Sequence, residues 1–324
     1  MKLLEKEKGQ FLSFLKKNKD AKLVITGHSN FDLDALCSCF AIKSVLPNAV
    51  MALPDKQEAP SQAFTEKMGL ELVELGKLNP ADYEGLVVVD CSTSVLLEDA
   101  KKWEIKLIVD HHHKSENNLP AELTIRDEFA PSTAEMFMEL LPEVSPEVAY
   151  ALGVAIISDT ARFKNGRSHT FEMLARAIEL SGKTYGEMLS DAEPEMDPEY
   201  KVAVLEGFKK SRTVVHGGYV IATTVVPSHE SLISSSISEF ADVVFAGKWK
   251  DEIQETRISA RARKQVPVAL NEVMKELAEE LGGGGGGHAK AAGCSAKARP
   301  GKTLDTCVEV FIKKLENLQS NKKE

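Results

Sequence analysis

The chain has 324 residues, with 40 lysines and arginines against 49 aspartates and glutamates and a formal net charge of −9. That length suits two domains with a sizeable core, and 43% hydrophobic and 27% charged residues are ordinary for a folded protein. No apolar run reaches the roughly 18 residues of a membrane span, the N-terminus lacks a signal peptide's apolar core, and five cysteines without paired spacing predict reduced thiols and a cytoplasmic protein.

In chain order, the N-terminal segment to about Asn18 reads as an amphipathic helix. Short β-type runs then alternate with helical patterns. Strands are predicted at 22–27, 49–53, 86–90, 106–110 and 122–126, and helices at 34–46, 61–69, 132–141, 146–158 and 169–181. Asp34 is expected to cap the helix it opens, and Ser145-Pro146 to start a later one. Cys37 and Cys39 fall on a helix and read as core. The alternation predicts an α/β fold, a parallel sheet with helices on both faces.

Residues 186–212 read as a linker containing Pro194, followed by a connecting helix from about Pro198 to Lys210. Past it, His216-Gly217-Gly218-Tyr219 marks a hairpin within 213–226, and two more strands follow over 243–263. Next come an amphipathic helix at 271–281, six glycines at 282–287, and a last helix at about 304–319. The expected division is a domain over 1–185, the connector, and a smaller α+β domain over 213–324. Charge divides as well. Residues 1–249 hold 26 basic and 38 acidic groups, and residues 250–324 hold 14 and 11. An acidic part suits cations, a mildly basic part suits an anionic substrate, and there is no long basic track for duplex nucleic acid.

Three predicted strands run out into residues that bind metals. The first leads to His28 with Asp32 and Asp34, another to Asp90, and a third to Asp110-His111-His112-His113; Asp159 ends an apolar helix. Ligands of open parallel sheets bind beyond the carboxyl ends of the strands, so one sheet edge should gather these groups. Two imidazoles and four carboxylates (His28, Asp32, Asp34, Asp90, His111, Asp159) exceed the needs of one ion and suit two. The mixed set favours Mn2+, with Mg2+ or Co2+ as alternatives. Two such ions about 3.5–4 Å apart can act together on phosphorus. His113, by strand alternation, points away from His112 toward the surface.

His28-Ser29-Asn30-Phe31-Asp32-Leu33-Asp34-Ala35 resembles the first motif of the DHH phosphoesterases. Asp90-Cys91-Ser92 resembles the second, Asp110-His111-His112 the motif that names the family, and Asp159 the fourth. The resemblance implies that His28 and Asp32 bind one ion, that Asp34, His111 and Asp159 bind the other, and that Asp90 bridges them. It implies that His112 faces the phosphate and that Asp110 supports the histidine pair by hydrogen bonds. Phe31 and Leu33 depart from the family motif, which usually has proline and a small residue there.

The glycine run, by its residues, is either a flexible linker or a backbone nest or helix start that converges N–H groups on an anion. With His288 and Gly293 it resembles the substrate motif of the first type of DHH-associated domain, and Ser259-Ala260-Arg261-Ala262-Arg263 resembles that domain's arginine strand. Two arginines two apart on a strand share a side. The resemblance implies that Arg261, Arg263, Gly284, Gly285, Gly286, Gly287 and His288 grip a terminal phosphate and the adjoining nucleotide.

Size and second domain are similar to the nanoRNase and pAp-phosphatase group. That likeness implies a metal-dependent phosphoesterase acting on short single-stranded RNA or DNA, or on small nucleotide phosphoesters such as pAp and cyclic or linear dinucleotides. The rival readings are a RecJ-like exonuclease, a manganese-dependent inorganic pyrophosphatase suggested by Ala262-Arg263-Lys264-Gln265, and a nucleotide sensor without turnover. No membrane partner is expected, and a homodimer is an allowed state.

Overall fold

The computed structural model describes residues 5–193 and 198–320. The chain divides into two compact units, 1–195 and 196–324. The start of the predicted N-terminal helix and the middle of the predicted linker lie outside the described residues.

The first unit is built on six strands: β1 (Leu23–Thr26), β2 (Val50–Leu53), β3 (Val73–Glu74), β4 (Gly85–Val89), β5 (Ile105–Asp110) and β6 (Leu123–Arg126). They lie in the order β3-β2-β1-β4-β5-β6, and every pair is parallel. The order reverses direction between β1 and β4, where Leu23 pairs with Gly85 and Thr26 with Val88. A crevice opens at such a switch point beyond the strand ends.

Period-two alternation sends Leu23, Ile25, Val87, Val89, Leu107 and Val109 to one face and Val24, Leu86, Val88 and Ile108 to the other. The first face carries α1 (Glu5–Lys17), α2 (Leu33–Lys43), α3 (Ala59–Met68), α4 (Thr133–Leu140), α5 (Pro146–Asp159), α6 (Ser168–Ser181) and α7 (Tyr185–Ala192). Helix α5 is buried at every residue from Val148 to Ile157, as a helix apolar all round must be. The second face corrects the expectation of helices on both sides. Its apolar surface is closed by Leu75, Leu97, Ala100, Trp103 and Leu119, on 3-10 turns and loops. The bulky side chains of those short connections suffice to cover the strands.

The first part of the predicted linker is helix α7. Thr184 and Glu187 form a reciprocal cap: the Glu187 N–H donates to Thr184 Oγ1 at 3.2 Å, and the Thr184 N–H to the Glu187 carboxylate at 2.9 Å. Helix α7 docks closely because residue 153 of α5 is glycine; a Cβ there would meet Met188 Sδ at 2.6 Å.

The second unit contains α8 (Pro198–Lys209), β7 (Arg212–His216), β8 (Tyr219–Val225), α9 (Glu230–Ile237), β9 (Val243–Lys250), β10 (Glu255–Ala262), α10 (Leu270–Leu281), β11 (Gly283–Gly287), β12 (Ala291–Ala296) and α11 (Pro300–Ser320). Its sheet runs β11-β12-β10-β9-β8-β7, antiparallel except for β8 beside β9. Helices α10 and α11 pack on one face around Phe245, Ile258, Leu277 and Phe311. Helices α8 and α9 cover part of the other around Ala222, Ile233 and Val244.

The glycine run is neither linker, nest nor helix start. It is the edge strand β11, with Gly284 opposite Ser295 and Gly286 opposite Gly293. A Cβ at Gly285 would stand 2.3 Å from the Met274 carbonyl oxygen of α10, and one at Gly283 would stand 2.0 Å from that of Ser295. Glycine lets helix and strand backbones approach this closely.

Cys37, Cys39, Cys91, Cys294 and Cys307 are all buried and free. Among the described residues no helix is long and apolar enough to cross a membrane.

Candidate metal centre

Beyond β1 the backbone squeezes past Gly27, where a Cβ would meet that of Ala35 at 2.8 Å, and presents His28. Asp32 caps α2, its Oδ1 accepting from the Ala35 N–H at 2.9 Å. The cap expected of Asp34 is therefore supplied two residues earlier. Asp34 is buried and serves another helix: its carboxylate accepts the Thr133 N–H at 2.7 Å and the Ala134 N–H at 2.8 Å, at the start of α4. That end carries the positive pole of the helix and suits an anion. Thr133 Oγ1 donates to Asp90 Oδ1 at 3.0 Å. Asp90 follows β4 in the left-handed region at φ 55°, a strained conformation of the kind found at functional sites.

His28 Nε2 lies 3.4 Å from Asp32 Oδ2 and 3.3 Å from Asp90 Oδ2. His111 Nε2 lies 3.4 Å from Asp90 Oδ1 and 3.5 Å from Asp159 Oδ2. Asp90 thus turns one oxygen to each imidazole. The opposite ring nitrogens settle the tautomers: His28 Nδ1 donates to the Ser29 carbonyl at 2.6 Å and His111 Nδ1 to the Ala130 carbonyl at 3.0 Å. A carbonyl only accepts, so each Nδ1 carries hydrogen, and loss of a ring's other proton frees the lone pair on Nε2.

The ligand atoms of His28, Asp32 and Asp90 lie within 4.8 Å of one another, as do those of Asp34, His111 and Asp159 and those of Asp90, His111 and His112. All six predicted ligands meet at the switch point. Separations of 3.3–3.5 Å exceed the 2.7–2.9 Å of a direct charged hydrogen bond. Two donors each about 2.1 Å from a shared ion stand roughly 3.0–3.4 Å apart. The donor set fits divalent ions.

Electrostatics agrees. Burial, with Asp90 nearby, raises Asp159 to about 7 and Asp34 well above the usual carboxyl range. Burial alone would depress the imidazoles; Asp32 and Asp90 outweigh it and lift His28 to about 12, and Asp90 lifts His111 to about 10. Burial would raise Asp90, but the two imidazoles hold it low. A bound cation relieves such crowding of carboxylates.

His112 is half-exposed and takes a different partner. Its Nδ1 donates to Asp110 Oδ1 at 2.8 Å, which raises its pKa. Asp110 is fully buried, with Arg126 3.7 Å from its other oxygen. Asp110 was expected to support both histidines; its side chain engages only His112, and the Ala130 carbonyl orients His111. His113 is exposed and pairs with Glu128 at 3.1 Å.

Residues 22–159 match the DHH family N-terminal domain, and residues 233–320 match the DHHA1 domain. The chain carries a DHH domain and a DHHA1 domain. It is 28% identical over 337 residues to an uncharacterised protein of Methanocaldococcus jannaschii, covering 96% of this chain and 100% of that one. The fold is similar to that of an exopolyphosphatase-related protein from Bacteroides fragilis, with a TM-score of 0.75 at 13% identity and 98% of each chain covered. It is also similar to the pGpG-specific phosphodiesterase of Vibrio cholerae, with a TM-score of 0.50 at 15% identity over 91% of this chain and 99% of that one.

In the DHHA1 domain, Arg261 donates to Ser231 Oγ and to the Ala260 carbonyl, each at 3.0 Å. Ser231 lines a cavity of about 510 Å3 with Lys250, Arg257, Ser259, Gly293 and Ser295. Gly284 and Gly286 face open space, where a Cβ would meet nothing within 4 Å. Arg263 reaches the same helix as Arg261, α9, at its other end. Strand β10 ends at Ala262, and the Arg263 guanidinium turns to the Ser238 and Glu239 carbonyls at the end of α9. Gly285 faces α10, Gly287 ends β11 at φ 126°, and His288 opens the turn to β12, its N–H on the Ala291 carbonyl at 2.8 Å.

Thr133, Arg126 and the Ala130 carbonyl were missed from the sequence. Ser132 is a legible N-cap, accepting from the Glu135 N–H at 3.1 Å. Nothing local says that this helix end meets Asp34 and Asp90.

Proposed function

We propose that this DHH protein is a two-ion phosphoesterase that hydrolyses short single-stranded oligonucleotides, and small nucleotide phosphoesters of like chemistry, to mononucleotides. The observation that supports the reading is a pair of donor triads, His28-Asp32-Asp90 and Asp34-His111-Asp159, linked by Asp90, whose Oδ1 lies 3.4 Å from His111, with His112 beside them. Divalent ions held by His28, Asp32 and Asp90 and by Asp34, His111 and Asp159 would supply Lewis-acid stabilisation of charge at phosphorus. Mn2+ suits the mixed oxygen and nitrogen set.

The chain's own groups do the rest. Thr133 and the α4 N–H groups hold Asp90 and Asp34 in place. His112, fixed in one tautomer by Asp110 and more readily protonated for that reason, donates from Nε2 to a phosphoryl oxygen as charge develops. In this reading the first unit does the chemistry and the DHHA1 unit holds the substrate. Its cavity of about 510 Å3 is in the range of small-molecule pockets. Arg261 and His288 hold phosphate in the proposed complex, so Arg261→Ala and His288→Ala raise KM more than they lower kcat.

The test is one panel with Mn2+: pyrophosphate, pAp, linear and cyclic dinucleotides, and RNA and DNA of 2–20 nucleotides. Cleavage of dinucleotides and short oligomers to mononucleotides, abolished by EDTA, is expected. Pyrophosphate hydrolysis alone would move the assignment to an inorganic pyrophosphatase, and no turnover of any member to a nucleotide sensor.

A further inference from the structure

We infer that Arg167 is a positioning residue for the metal centre, a single guanidinium that fixes the supports aiming three of the ligands. The inference rests on the two-ion reading. Arg167 Nε donates to Glu135 Oε1 at 2.8 Å; its NH2 stands 2.6 Å from the same oxygen and 3.2 Å from Asp127 Oδ2. Both acids are well covered, with side-chain exposures of 1% and 10%.

Each acid governs a different support. Glu135 sits in the first turn of α4, its second oxygen taken by Thr170 Oγ1 at 2.6 Å. That turn carries the Thr133 and Ala134 N–H groups on Asp34 and the Thr133 hydroxyl on Asp90. Asp127 opens a tight turn. Its Oδ1 accepts the Phe129 N–H at 3.0 Å and its carbonyl the Ala130 N–H at 3.0 Å. The Ala130 carbonyl in turn orients His111.

The same arginine closes the loop that leaves Asp159. That loop runs through three consecutive left-handed residues, Ala161, Arg162 and Phe163, at φ 49°, 57° and 65°, a conformation that costs energy unless its ends are held. The Arg167 backbone N–H, which a substitution leaves in place, donates to Thr170 Oγ1 at 3.1 Å and secures the far end. Without the cation, one buried and one largely covered carboxylate would face each other uncompensated. The α4 start and the 127–130 turn would then move apart, carrying Asp34, Asp90 and His111 out of register. Lysine keeps the charge but cannot fork to both acids.

The experiment is calorimetric titration of Mn2+ into the metal-free protein, with melting temperatures alongside. Arg167→Met should weaken Mn2+ binding by about 10–100-fold, the range for residues that orient ligands, and Arg167→Lys by less. At saturating Mn2+ the KM for a dinucleotide should be unchanged. Asp191→Asn is the control. It removes an ion pair of the same unit, with Lys67 at 2.6 Å, and should lower the melting temperature while leaving Mn2+ affinity alone. Wild-type Mn2+ affinity in Arg167→Met, or equal weakening in Asp191→Asn, would overturn the inference. Should Arg167→Met not fold, Asp127→Asn replaces it with the same two outcomes. A wild-type protein that takes up no divalent ion would overturn the two-ion reading itself, a result distinct from one confined to the variants.

Discussion

His111 and His112 are neighbours in sequence and differ in task because their Nδ1 partners differ. The Ala130 carbonyl holds His111 with Nε2 toward Asp90 and Asp159, whereas the buried Asp110 carboxylate holds His112 and raises its pKa. His112→Ala should therefore lower kcat by about 10²–10³-fold with little change in KM. Steady-state kinetics on a dinucleotide checks this, and an effect confined to KM would place His112 in binding. Asp159 makes a second case. Its pKa in the folded protein, about 7, lies above the ordinary 3.8, so folding disfavours its charged form. That cost is absent below pH 3.8, grows as pH rises, and is complete above 7. In EDTA, Asp159→Asn should melt above wild type at pH 8, by about 2–4 °C per kcal/mol relieved, and the two should converge near pH 4. A gap independent of pH would disprove it. The candidate ligands were legible because histidine and aspartate at strand ends are conspicuous. Their supports were not: the Ala130 carbonyl has no identity in sequence, and Asp34 reads as the cap of its own helix while serving α4.

At the scale of elements, β1, β4 and β5 were visible as short apolar runs, which the fold buries on both faces. The glycine run offers no side chains to alternate, so its strand character became visible only beside β12 and α10. Helix α7 was hidden among acids and prolines, although Thr184 and Glu187 have the spacing of a reciprocal cap. The edge strand yields a matched pair of substitutions. A Cβ at Gly285 would lie 2.3 Å from the Met274 carbonyl, whereas one at Gly284 meets nothing within 4 Å. Gly285→Ala should cost about 1–3 kcal/mol or more through forced displacement of α10, and Gly284→Ala should cost far less. Urea denaturation of the two variants checks the ranking; equal costs would mean that β11 is not packed on α10 in solution.

For the molecule as a whole, βα alternation carried the parallel sheet, and the switch point follows once the strand order is known. The sequence could not say that one sheet face would be closed by turns, since Leu75, Leu97 and Trp103 look like any apolar loop residues. Charge bears on substrate length. Residues 1–249 carry 38 acidic against 26 basic groups, and residues 250–324 carry 11 against 14. In the DHHA1 domain Arg257 is partly neutralised by Glu230 at 3.4 Å. In the proposed complex a first phosphate near Arg261 would meet cations, but each further phosphate of a long strand would add negative charge beside a protein of net charge −9 with no basic track to offset it. Mononucleotide release should therefore be fastest on oligomers of roughly 2–5 nucleotides and fall steeply by about 20, with duplex nearly inert. Raising the salt should narrow the gap between short and long strands, because screening weakens a repulsion. Rates on labelled 3-mers and 24-mers at two ionic strengths decide the matter. Equal rates on both lengths would favour a RecJ-like exonuclease, and a gap that widens with salt would show that the long strand is attracted and fails for another reason.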